Sequence, residues 1–375
     1  MKKNRKKADV SPEVCSVQTG CTHNPFSVFE TAAPYRHDIQ LYGALRDAVP
    51  IIDAAVTKLV RLTGGFSIRC TDRKSQEYMD SFVTGICVNG NQAGLEAFVS
   101  GYFEQLLTYG TAIGEVVTDC NGTPCALFNA PLENIELRRN RNGLNIDIYS
   151  LASGQPEKIA YPELTVMSVL NPDAGALTGN SLLKGLPFVS AVLMKIFRTV
   201  GNNWERLGNI RFAVTYKPQN DTLDRAYAKE RAMQVAEEWS SAMSGGSVKD
   251  FVAVGDVQIK VIGAEAQLPD SEIPVRQLLE QIVAKTGLPP FLLGLSWSST
   301  ERMSSQQADA LTSELEAYRR ILTPAIVKVC DTALRLVGLP GGVEVIWDEI
   351  MLQDMVEAAR AQLYSAQSQR LIEGG

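Results

Sequence analysis

The amino-acid sequence predicts an α+β protein built around long helices, and three observations carry that reading. Apolar residues recur at helical spacing over 181–207 and again over 304–338. Before the first of those stretches, short β-rich runs flank Asn-Gly turns, and further short β-rich runs lie between the two. No residue pattern that supports bond-making chemistry accompanies either kind of element.

Length and composition set the frame. A chain of 375 residues, 45% apolar and 21% charged, has the make-up of a globular protein with two or three domains and ample core. No uninterrupted apolar run approaches the ~18 residues of a membrane span. The leading MKKNRKK runs into Asp9, Pro12 and Glu13 instead of an apolar stretch, so it is not read as a signal peptide. Seven irregularly spaced cysteines fit a reducing compartment. Net charge is −6, and setting aside the five basic residues of MKKNRKK leaves −11 for the body. So acidic a body argues against a protein that grips nucleic acid by neutralising many phosphates, though not against one that touches it lightly.

Residues 1–34 read as an irregular arm. Cys15, Cys21 and His23 lack a second half at zinc-ligand spacing, so no metal is expected. His23 and His37 are the only histidines, which removes the usual base for a Ser-His or Cys-His nucleophile from the rest of the chain. From Leu41 to Leu62 a helical stripe runs through Leu45, Val49, Ile52, Val56 and Leu59, with Pro50 splitting or kinking it and Gly64-Gly65 stopping it. Helices are expected near 75–87 and from Leu95 to Tyr109-Gly110. Glu115–Asp119 and Cys125–Phe128 form a hairpin over Asn121-Gly122, with Cys120 and Cys125 facing each other across the turn, where a disulfide is geometrically possible and the reduced state is favoured. Ile135–Arg139 and Leu144–Tyr149 form a second hairpin. Arg138, Arg139 and Arg141 make the one basic knot of the body, read as a solvated loop.

After a break at Pro172 and Gly179, the helix over 181–207 keeps Leu182, Leu186, Val189, Leu193, Ile196, Val200, Trp204 and Leu207 on one face, with Pro187 near its start. Lys195, Arg198 and Arg206 lie off that face. A strand (Arg211–Tyr216), a charged helix (Asp221–Met243), a Ser244–Ser247 turn and two strands (Phe251–Val254, Gln258–Ile262) follow. This insert would separate two helices that can lie side by side, because the next stripe (Val275, Leu278, Leu279, Ile282, Val283) is again helical. Gly287 and Pro289-Pro290 end that helix. A polar loop follows, and Ser304 with Gln307 has capping-box spacing for the next helix. Its stripe (Ala308, Leu311, Leu315, Tyr318, Leu322, Ile326, Val329, Ala333, Leu336) spans about eight turns and should kink at Pro324. A strand at Val343–Trp347 and a polar helix over 353–372 complete the reading.

Chemistry is conspicuous by its absence. The dipeptide Gly-Lys does not occur, so there is no phosphate-cradling G-x-x-x-x-G-K-[ST] loop; G-x-G-x-x-G, H-E-x-x-H and EF-hand patterns are missing too. Neighbouring acids such as Glu237-Glu238 and Asp348-Glu349 point apart and read as surface charge. No enzyme activity and no cofactor are expected.

The order of elements nevertheless resembles a known family. Leu106–Ala112 with its Tyr109-Gly110-Thr111-Ala112, then Glu115-Val116-Val117, Asn121-Gly122 and Leu127–Pro131, is similar to a stretch of tailed-bacteriophage portal proteins. Asn180-Ser181-Leu182 opening a long helix, Lys285–Pro290 followed by Leu293-Gly294, and the helix over 301–337 look like further landmarks of that family. The resemblance runs from about Leu41 to Trp347. It implies a ring, usually of twelve subunits, at one capsid vertex of the virion, assembled in the bacterial host cytoplasm, through which double-stranded DNA is packaged and ejected. It divides the chain into a wing (35–178), a stem helix (179–208), a clip (209–270), a second stem helix (271–294), a tunnel loop (295–303), a tunnel/wing helix (304–338), and a wing strand with a short C-terminal crown helix (339–375). Leu295, Ser296, Trp297, Ser298, Ser299, Thr300, Glu301, Arg302 and Met303 would face the DNA. The implied partners are other copies of the chain, the DNA, a terminase large subunit at the clip, and scaffold, major capsid and adaptor or head-completion proteins, with no membrane. A ring of twelve helices about 10 Å across leaves a hole of roughly 28 Å. That is enough for a duplex about 20 Å wide, and an acidic wall would let it slide. Two other readings stay open at this point: a different capsid or tail component, and a cysteine-dependent enzyme.

Overall fold

The computed structural model describes residues 35–140, 145–152, 154–208, 211–216, 257–262, 271–295 and 301–350, and the single positions 230, 233, 234 and 237. The expected arm with Cys15, Cys21 and His23, the helix at 221–243 apart from those four helical positions, the turn at 244–247, the strand at 251–254 and the C-terminal helix at 353–372 lie outside the described residues.

Pro50 does what an interior proline must. Helix α1 (Tyr35–Ala48) stops before it, Val49 is extended, and Pro50 opens α2 (Pro50–Leu62) at a position where a missing N–H costs nothing. The bend is braced by Arg46. Its guanidinium donates to Asp53 at 2.9 and 2.5 Å and to Thr108 Oγ1 at 3.0 Å, and pairs with Glu104 at 2.8 Å. Strand β1 (Phe66–Cys70) follows, then α3 (Arg73–Gly85), whose first turn is capped by the Asp72 carboxylate accepting from the N–H groups of Lys74 and Ser75. Short strands β2 (Cys87–Val88) and β3 (Gln92–Ala93) lead into α4 (Leu95–Tyr109), which ends on a left-handed Gly110.

The hairpin over Asn121-Gly122 forms as expected, between β4 (Thr111–Thr118) and β5 (Pro124–Asn129), with Cys120 and Cys125 free. Around it a five-stranded sheet has the order β3-β2-β5-β4-β9, where β9 is Thr165–Val169. The second expected hairpin is β6 (Ile135–Arg139) with β7 (Ile146–Ser150), extended by β8 (Glu157–Lys158). Arg138 is engaged locally: Nε donates to Glu136 at 2.8 Å and the guanidinium lies over Tyr149. Arg139 donates to the Gly175 carbonyl, so both of these arginines serve their own neighbourhood.

Helix α5 (Leu186–Gly208) packs against α6 (Glu272–Thr286), as the expected pairing of flanking helices requires. β10 (Arg211–Tyr216) and β11 (Val257–Ile262) form an antiparallel pair between them in the chain. Helix α7 (Glu301–Leu336) continues through Pro324 and closes on a left-handed Gly338. β12 (Val343–Trp347) then pairs antiparallel with β1, Phe66 opposite Trp347. One large core gathers α2, α3, α4, the β4–β5 sheet, the start of α5, the end of α6 and most of α7. Among the described residues no helix is long and apolar enough to cross a membrane.

Candidate channel loop and its anchors

Of the loop predicted at Leu295–Met303, the structure describes Leu295 and the helical positions Glu301, Arg302 and Met303. Leu295 is half-buried, and its N–H donates to the Pro290 carbonyl at 3.0 Å. Positions 296–300, with Trp297, lie outside the described residues. Helix α7 begins at Glu301, so Glu301, Arg302 and Met303 are helical backbone and not loop. That corrects the boundary, and the reason is local. Glu301, Arg302 and Met303 are good helix formers with neither Gly nor Pro among them. A glutamate in the first turn also favours the helix dipole. The Ser304–Gln307 spacing therefore sits inside the helix and does not open it.

Both sides of the loop are fixed in the core. On the entry side, α6 ends at Gly287 in the left-handed region (φ +70°), Leu288 and Pro289 turn inward, and a 3-10 turn over Pro290–Leu293 ends on Gly294 at φ +75°. Ile282, Thr286, Leu288 and Leu292 are buried, and α6 and the turn both pack on α2. On the exit side, Ala308, Leu311, Leu315, Tyr318 and Leu322 carry the α7 stripe into the same core, Tyr318 tilted against Phe103 at 5.2 Å between ring centres.

Arg319 locks the exit helix. It is only 9% exposed, and it donates through Nε and Nη2 to the Thr63 carbonyl at 2.8 and 2.5 Å, capping the end of α2. Its guanidinium stands 5.0 Å from the Trp347 ring, and Trp347 Nε1 donates to Thr323 Oγ1 at 3.0 Å. Burial pulls the Arg319 pKa below its ordinary value, with Asp348 and Glu316 opposing. Burial, with Glu314 nearby, pushes the Tyr318 phenol up to about 12. Sequence reasoning missed this latch. The available signal was an arginine beside Tyr318 on the buried stripe of a long helix.

A second junction ties two of the sequence landmarks together. The Leu106–Ala112 stretch and the Asn180-Ser181-Leu182 stretch meet at a crossing of two glycine backbones. Leu182 N–H donates to Leu107 O at 3.0 Å, Ser181 Oγ to Thr108 O at 2.6 Å, and Gly179 N–H to Thr111 Oγ1 at 3.1 Å. Leu170 completes the knot, donating to Gly110 O at 2.8 Å and accepting from Asn180 N–H at 2.7 Å. A Cβ on Gly179 would collide with Gly110 O and both polar backbone atoms of Leu170. This knot sets where α5 leaves the sheet.

Among the described residues no group of three or more His, Cys, Asp or Glu could hold a metal ion. The buried Cys330 thiol is pushed well up by burial, away from the reactive thiolate.

No protein-family model and no curated protein sequence matches the chain. Solved structures do. A chain from the virion of a native gene transfer agent (GTA) particle superposes with a TM-score of 0.61 at 15% identity, over 92% of this chain and 94% of that one. A chain from the neck of the native GTA particle, computed with C12 symmetry, gives 0.60 at 16% identity over 86% and 88%. An HK97 family phage portal protein from Corynebacterium diphtheriae gives 0.45 at 14% identity over 81% and 95%, too loose a superposition to weigh. Identity this low speaks for fold alone, and in fold this chain is of one kind with those components of the GTA particle.

Proposed function

We propose that the chain is a portal-type subunit. Copies of it, twelve by this reading, close into a ring at one vertex of a phage-like capsid, and double-stranded DNA is packaged and ejected through the channel. In this scheme 35–178 with β12 forms the wing, α5 and α6 the stem, 209–270 the clip, and the segment between Gly294 and Glu301 the tunnel loop. The role is conduit and docking hub, without catalysis. A terminase at the clip supplies the energy, and scaffold, major capsid and head-completion proteins contact the ring's outside.

The observation that carries this reading is the fold shared, over 86% of the chain, with a component of a particle neck computed with C12 symmetry. Local architecture supports it. A short segment is held between two core-anchored points, the 3-10 turn at Pro290–Leu293 and the α7 stripe from Ala308, which suits a loop kept in register with its copies around a ring. Imaging of the purified chain by negative-stain microscopy, with a rotational symmetry count, tests the proposal. Closed rings with a central channel are expected. Particles that stay monomeric at assembly concentrations, free and with scaffold, contradict it.

A further inference from the structure

Among the described residues of the α5 stripe, Leu186 and Leu193 are buried, Val189, Ile196 and Val200 half-buried, and Trp204 exposed. Leu186 and Leu193 are each 2% exposed. Phe197 and Trp204 lie within about 20° of the same meridian, because seven and eighteen residues are close to two and five turns of helix. Yet Phe197 is 49% and Trp204 63% exposed. Between them stands Gly201, and nothing lies within 4 Å of where its Cβ would be. A glycine inside an exposed helix weakens that helix, and no contact among the described residues calls for it. What a bare glycine between two aromatics provides is room for another backbone to come close. Arg198 stands at the edge of the strip on the Gly201 side, exposed and without an ion-pair partner among the described residues.

We infer that Phe197, Gly201 and Trp204 form the seat of a neighbouring copy of this chain in the ring. The inference rests on the ring reading and adds the surface through which it closes. Ring contacts of this kind are heterologous, so the seat meets a different face of the next subunit. The exposed side of α7, with Asp309 and Glu316, offers the opposite charge to Arg198. Covering the strip completes a stripe that the wing core begins at Leu186. Aromatic anchors around a close-approach point are what a well-packed contact centre needs.

The test compares the full-length chain with Phe197→Ser/Trp204→Ser and with Gly201→Leu. The first removes the anchors, and the second fills the gap that the neighbour would enter. Neither alters a buried side chain. Mass photometry across a concentration series should show the wild type in rings, and each variant shifted by at least tenfold in the concentration needed for assembly. Melting curves of the dilute subunits should change little. Rings formed at wild-type concentrations by either variant overturn the seat and leave the ring reading standing. A wild type that is monomeric throughout overturns both. Should a variant fold poorly, acrylamide quenching decides. Trp204 emission, isolated by subtracting a Trp204→Phe chain, must be accessible in dilute monomer and protected in the ring. Trp204 already shielded in the monomer assigns the strip to the chain's own residues and overturns the contact.

Discussion

Arg319 shows how a single side chain can join three elements. Its two donors serve the last carbonyl region of α2, its plane faces the Trp347 ring of β12, and its backbone belongs to α7. Hydrogen bonds to charged groups contribute about 1.5–3 kcal/mol each, set against the cost of burying the charge. Arg319→Met should therefore lower subunit stability by about 2 kcal/mol in urea denaturation. Arg319→Lys should do no better, because one ammonium cannot reproduce a planar fork over an indole. A loss within about 0.5 kcal/mol would mean that the latch is incidental. Tyrosines give a second handle at this scale. Tyr318 and Tyr42 are both pushed to about 12, chiefly by burial, the first beside Glu314 and the second beside Asp38. Folding thus favours the protonated phenols. Their contribution is intact below the unfolded value near 10 and is lost as pH rises through about 12. Melting temperature should fall over that window, and Tyr42→Phe/Tyr318→Phe should flatten the fall. An unchanged slope would place the alkaline sensitivity elsewhere.

At the scale of elements, the glycine knot decides how the long helix leaves the sheet. Gly110 holds φ at +77°, and the backbones of Gly179, Leu170 and Gly110 approach too closely for any side chain at Gly179. Gly179→Ala should cost about 3 kcal/mol or more, since backbone has nowhere to yield. Hydrogen exchange at the start of α5 should rise before that of the α4 core; uniform loss of protection would show global unfolding instead. Much of this scale was legible beforehand. Asn121-Gly122 announced its hairpin, Pro50 its helix break, Gly287 with Pro289-Pro290 the end of α6, and Val343–Trp347 a strand. These are signals carried by a few adjacent residues. β1 was not legible, because the strand it pairs with lies at the other end of the described chain and no local turn betrays it. β9 was passed over between Pro162 and Asn171 for the same want of a nearby partner. The start of α7 was misplaced because a cap-like spacing at Ser304 outranked plain helix propensity at Glu301. The Arg319 latch was hidden because its meaning lies in three distant segments at once.

For the whole molecule, the acidic body and the anchored loop point the same way. A surface that repels phosphates lets a duplex pass, provided that whatever touches it is held in position. In the proposed channel, Trp297→Ala/Arg302→Ala should leave rings intact and reduce the DNA packaged per particle several-fold. Rings lost with the double variant would instead make that segment a contact between subunits. The pairing of β1 with β12 has a further consequence, one of timing. Phe66–Cys70 is made early in synthesis, and its partner, Val343–Trp347, only after nearly all the intervening chain. At roughly 5–20 residues per second, that edge waits well over ten seconds for closure, and such long-range pairings are slow to form in any case. Until β12 arrives, Trp347 cannot pack against Phe66 or face Arg319, and an unpaired strand edge is open to wrong partners. A nascent chain therefore cannot complete the β1–β12 pair until it is nearly all made. If the chain assembles as proposed, β12 has to be made and paired before a subunit can join a ring.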